Sequence, residues 1–164
     1  MKKFKFLSLI LGLVLGSFAF VACGDDDDDS DKGGQSSEVI TIDELVGTWY
    51  LVDENSSEKV CIDIIQFIDK EHLLMTEMKA KAKYRWEPEI GQPTGMTFTF
   101  DGKTMKFEEK PYSGDITKEN GKYMIQRYEN GQAVGGKTDL IKVKSSDEAA
   151  QAFFQLIETR RNSN

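Results

Sequence analysis

From residue 47 onward apolar and polar residues alternate with a period of two, the spacing of strands that turn one face to a core. Gly47-Thr-Trp-Tyr-Leu-Val-Asp53 reads as a first strand and 59–68 as a second, separated by a polar turn at 54–58. Further strands are predicted at 73–78, 79–87, 95–100, 103–109, 114–118, 122–129 and 138–144. Asp101-Gly102, Asn120-Gly121 and Asn130-Gly131 are strong hairpin turns, because both central positions of a tight turn need left-handed backbone. Gly131-Gln-Ala-Val-Gly-Gly136 lacks the lysine and hydroxyl of a phosphate loop and reads as a flexible hairpin end. Many short strands joined by tight turns make an antiparallel meander, and such a sheet must close to protect its edges. The fold predicted is all-β, an up-and-down barrel of about eight strands.

A helical period appears at the two ends of this region. Thr41-Ile-Asp-Glu44 has the capping-box spacing before Gly47, which predicts a short helical lid. Ser145-Ser-Asp-Glu148 repeats that spacing ahead of Ala149, Ala150, Phe153, Phe154 and Ile157. The apolar stripe of this C-terminal helix is expected to pack on the outside of the barrel; a partner-binding stripe would need the same pattern.

The first residues follow a different pattern. Lys2, Lys3 and Lys5 precede an apolar run over 6–15, broken only by Ser8 and Gly12, and Gly16, Ser17, Ala19 and Ala22 follow. This is the layout of a secretory signal peptide, too short for a transmembrane helix. Phe20-Val21-Ala22-Cys23 resembles the lipobox of bacterial lipoproteins, which implies that Cys23 becomes the lipidated first residue of the mature chain. Ordinary signal cleavage with a free Cys23 is the alternative. Acylation at Cys23 would anchor the protein permanently to a membrane. Asp25, Asp26, Asp27, Asp28 and Asp29, then Asp31, repel one another and hold the segment extended, a tether between lipid and domain. The run also resembles the acidic surface-export signal that follows the lipidated cysteine in one phylum of gut-associated Gram-negative bacteria. That resemblance implies an outer-membrane protein displayed on the cell surface. A calcium loop does not fit, since the glycine and glutamate it needs are missing. Three segments result: a signal peptide over 1–22, an acidic tether over 23–37, and a barrel domain over 38–164.

Loss of the first 22 residues takes the 21 lysines and arginines to 18 against 28 acids, a net charge of −10. An acidic chain is a poor nucleic-acid binder. With Cys23 lipidated only Cys61 is left, so no internal disulfide and no zinc-binding thiolate cluster is expected, and no metal or cofactor. Cys61 lies in a β-branched run and reads as a small hydrophobe.

A short helical turn leading into Leu45-Val-Gly-Thr-Trp-Tyr50 resembles the Gly-x-Trp opening of lipocalin-like barrels, and more closely the small lipocalin-like domains of bacterial surface lipoproteins. The similarity of layout covers roughly 42–157. It implies that Gly47 lets the chain enter the barrel and that Trp49 plugs its closed end. In the larger lipocalins an arginine near the end of the last strand stacks on that tryptophan; the corresponding region here carries Lys142 and Lys144.

Strand parity assigns Trp49 and Leu51, Tyr84 and Trp86, Met96, Phe98 and Phe100, and Met105 and Phe107 to the interior. Trp49, Tyr84, Trp86, Phe98, Phe100 and Phe107 are thus the candidate binding residues for a small apolar or aromatic ligand, unless they fill the barrel themselves. Lys79, Lys81, Lys83 and Arg85 would share the opposite face of one strand, a basic stripe for an anion or an acidic partner, or a lysine-blunted exposed strand. Helix formers between His72 and Ala82 would, if they folded as a helix, scatter that stripe. Catalysis finds little support. His72 is the only histidine, and carboxylate pairs such as Glu108-Glu109 or Asp63 with Asp69 are ordinary on an acidic surface. No catalytic residue is assigned. Three functions follow: a ligand-binding barrel, a monomer carrying a small apolar molecule; an interaction module of an envelope complex or an inhibitor, with a filled barrel; and, least supported, a glycan hydrolase.

Overall fold

The structure is a computed structural model that describes residues 38–108 and 110–163. Cys23 and the aspartate run therefore lie outside the described residues, which form one compact unit.

Helix α1 (Ile42–Leu45) leads into β1 (Gly47–Asn55), β2 (Lys59–Phe67) and β3 (His72–Lys81). A 3-10 turn (Ala82–Tyr84) and the two-residue β4 (Glu89–Ile90) follow, then β5 (Thr94–Phe100), β6 (Thr104–Phe107), β7 (Tyr112–Glu119), β8 (Lys122–Glu129) and β9 (Gln132–Val143). Helix α2 (Ser146–Asn162) ends the chain. Consecutive strands pair antiparallel except at β4, where β3 pairs directly with β5, and β1 pairs with both β2 and β9. These pairings close a barrel of eight strands, with β4 as an addition on β3. The expected meander barrel is what forms, and Asn120 and Asn130 adopt the left-handed backbone that their Asn-Gly turns require.

The strand expected at 79–87 does not exist. β3 continues through Lys81, and the chain then leaves the sheet, with Arg85 and Trp86 both at positive φ (55° and 59°). Non-glycine residues pay for left-handed backbone and keep it only where the surroundings hold it. Here Trp86 N donates to Lys81 O at 3.1 Å, Arg161 Nη2 donates to Trp86 O at 3.0 Å, and the indole is buried. β9 is likewise longer than expected, because the Gly-rich segment after Asn130 pairs with β8.

Strand parity sorts the core into two clusters. Inside the barrel lie Trp49, Leu51, Ile65, Phe67, Leu73, Phe98, Met105, Ile116, Ile125 and Leu140. Outside it, Val60, Ile62, Ile64, Met78, Ala80 and Trp86 pack against Ala149, Phe153 and Ile157 of α2. β2 is buried on both faces, which explains its nearly continuous apolar run. Ser145 Oγ caps α2 by accepting from Glu148 N at 3.3 Å. The two phenylalanines of the helix part ways: Phe153 is buried and Phe154 is 45 % exposed. Among the described residues no helix is long and apolar enough to cross a membrane.

Candidate functional site at the open end of the barrel

The two ends of the barrel are built differently. At one end α1 lies across the opening and Trp49 fills it, 1 % exposed, its Nε1 donating to Leu45 O at 2.6 Å. Pairing of β1 with β9 sets Trp49 opposite Lys142. The Lys142 ammonium stands 5.0 Å from the indole centroid and donates to Glu44 O at 2.9 Å. Lys142 thus takes the place over the tryptophan, while Lys144 falls beyond the strand. Tyr123 meets the indole edge-on at 4.9 Å and donates its hydroxyl to Glu44 Oε2 at 2.7 Å. Lys118 Nζ reaches the same oxygen at 2.8 Å, and Thr41 N and Oγ1 both donate to Glu44 Oε1 at 3.0 Å. So many donors, Lys118 foremost, hold the Glu44 carboxyl at about 2, well below its ordinary value.

The other end is open. Its connections are the β1–β2 turn, the excursion over 82–93, the link between β6 and β7 and the Asn130-Gly131 turn. Between them a cavity of about 420 Å³ enters the barrel. Leu51, Ile65, Met75, Met96, Met105, Phe107 and Ile125 wall it. Gly114 keeps it wide, since a Cβ at that position would come within 2.9 Å of Ile125 Cδ1. Three methionines give this cup a soft, adaptable lining.

Charged side chains stand above the apolar wall. Arg127 on β8 reaches Asp53 on β1 and lies 3.5 Å from Asp63 on β2. Its Nε is enclosed and has no hydrogen-bond partner among the described residues. Lys79 on β3 is shared by Glu77 at 2.9 Å and Glu89 at 3.2 Å. Asp63 lines the cavity. Its carboxyl is pushed up to about 6, chiefly by burial and then by the charge of Asp53, against which Arg127 only partly compensates. Beside it the Cys61 thiol is pushed up to about 12 by burial and then by Asp63 and Glu77. Cys61, Asp63 and Glu77 bring potential ligand atoms within 4.8 Å of one another. A thiol that stays protonated at neutral pH is a poor partner for a metal.

The residues expected inside divide. Trp49 and Phe98 are buried in the barrel core, where Phe100 and Phe107 pack against them, but of the six only Phe107 borders the cavity. Tyr84 and Trp86 are not interior. Tyr84 is 56 % exposed beneath the Lys83 ammonium, and Trp86 packs outside the barrel under α2, because β3 ends before either is reached. The basic stripe is broken for the same reason: Lys79 and Lys81 lie on β3, Lys83 in the 3-10 turn and Arg85 at left-handed backbone. Asp53, Asp63, Glu77 and Arg127 were not among the expected site residues. Asp63 had a signal, as an acid in the middle of a strand whose neighbouring positions Cys61, Ile62, Ile64 and Ile65 are apolar. Arg127 had none, because its partners are 64 and 74 residues away in sequence.

No family model matches the chain, and no match is found among curated proteins. Fold and site together define a closed eight-stranded antiparallel barrel, plugged at one end and carrying a cup at the other.

Proposed function

We propose that this barrel carries a small apolar or aromatic molecule and is anchored by acyl chains on Cys23 to the outer membrane, on the cell surface. One observation carries the reading: the apolar cup of about 420 Å³ at the open end, within the range of small-molecule sites. A barrel serving only as a scaffold for a protein partner would gain by filling this space, since side chains there would take the apolar lining out of water. The anchor and the address rest on the lipobox-like Cys23 and the aspartates at 25–29. The tether would hold the cup clear of the lipid surface.

Native mass spectrometry tests the carrier role on protein released gently from the membranes of its own cells. A stoichiometric extra mass beyond the acyl chains is expected. A bare mass would favour an interaction module. Protease treatment of intact cells tests display: digestion of the domain is expected, and protection would sink the surface assignment.

A further inference from the structure

The charges at the mouth are unbalanced in a regular way. Arg127 serves both Asp53 and Asp63, and Lys79 serves both Glu77 and Glu89. Each cation thus answers two carboxylates and leaves one negative charge over. Lys59 does not make up the deficit, because it pairs with Glu54 at 3.1 Å, and Lys81, opposite Lys59 at the end of β3, offsets only one of the two charges. Lys110 and Glu129, both exposed, offset each other at the rim. Asp63 stands apart from the other acids at the mouth, with a side chain only 15 % exposed and positioned on the cavity wall. It holds the weaker share of Arg127. The Nε of Arg127, without a hydrogen-bond partner among the described residues, is enclosed by protein atoms and cannot reach an occupant.

A carboxylate that is desolvated and under-compensated gains most from an added positive charge in a water-poor site. A carboxylate occupant would meet repulsion here, and a neutral one would leave the imbalance as it stands.

Resting on the carrier reading, we propose that the natural occupant is a lipophilic cation, an apolar or aromatic body with a protonated nitrogen. The body lies among Leu51, Ile65, Met75, Met96 and Phe107, and the ammonium donates to Asp63. Phe107 and the methionine sulfurs suit such a body through their polarizable surfaces.

The test uses three probes with one naphthalene body and an aminomethyl, hydroxymethyl or carboxyl head, titrated by fluorescence into the full chain carrying Cys23→Ala. The ammonium is expected to bind roughly tenfold tighter than the alcohol, the difference a charge-assisted hydrogen bond supplies, and the carboxylate weakest. Asp63→Asn is expected to bring the ammonium down to the affinity of the alcohol and to leave the alcohol unchanged, which also shows that the variant folds. Asp63 is faced by Cys61 and Lys59 of β2, Asp53 of β1, Glu77 of β3 and Arg127 of β8. The Asp63 carboxyl is raised to about 6, so the ammonium preference should fade as pH falls through that value. If the alcohol or the carboxylate binds as tightly as the ammonium, or if Asp63→Asn leaves the preference intact, the cation assignment fails and the carrier reading stands. If none of the three binds, both fail.

Discussion

Both ends of the barrel set a carboxylate against a lysine or arginine, yet they do opposite things with it. At the plugged end Glu44 accepts from a lysine, a tyrosine and two groups of Thr41, and its acid form is suppressed to about 2. At the open end Asp63 shares one guanidinium at 3.5 Å with a competitor, and its acid form is favoured up to about 6. One end is satisfied and the other is left wanting a positive charge. Around Glu44 the chain supplies the partners itself; around Asp63 it leaves one short, and a ligand has something to contribute.

Four changes would break or sharpen that contrast. Trp49→Ala should cost most, about 3–5 kcal/mol in urea denaturation, because it empties the plug and strands the groups arranged around the indole. If it costs no more than a surface substitution, the plugged end is not what holds the barrel together.

Asp63→Asn should act in the other direction. The folded-state value of about 6 exceeds the unfolded 3.8, so the native state binds the proton more tightly. Stability from this group is full below about 3.8 and is lost as pH rises through 6. The variant should therefore be more stable than the parent at pH 7.5, by on the order of 1–2 kcal/mol, and equal to it near pH 3.5. Loss of stability at pH 7.5 would mean that Asp63 serves Arg127 rather than a ligand.

Glu44→Gln has the reverse signature. The depressed carboxyl stabilises the fold above its unfolded value of 4.5 and loses that contribution as pH falls toward 2. Thermal melts of the parent should drop over this window more steeply than those of the variant, and parallel curves would show that the donors around Glu44 add nothing. Smallest is Lys142→Ala, at about 1 kcal/mol, from one cation–aromatic contact and one hydrogen bond. Lys142→Arg should restore most of it, since a guanidinium also stacks on indole.

Much of the architecture was legible because it follows from local chemistry. Alternation gave the strands, Asn-Gly and Asp-Gly gave the turns, and the two capping-box sequences marked α1 and α2. The segment after Met78 was misread. Its alternation of Lys and Ala continues smoothly past Lys81, but α2 needs a large apolar partner and takes Trp86 for it. The basic stripe and two of the six candidate lining residues were lost with that strand. The acids of the mouth were not legible as a site: in the sequence Asp63 reads as an ordinary surface acid, and only the register of β2 with β1 and β3 turns it inward.

Residue types and their periods by themselves determined an all-β meander with helices at both ends, an inward Trp49 and a buried Cys61, because these depend on neighbours a few residues apart. Only the tertiary structure decided that one end is plugged and the other open, that Lys142 rather than Lys144 lies over the tryptophan, and that Asp53, Asp63 and Arg127 meet. Closure of a sheet brings together side chains from strands far apart in sequence, and the burial and unequal sharing of charge that set the chemistry of Asp63 exist only once those strands are in register.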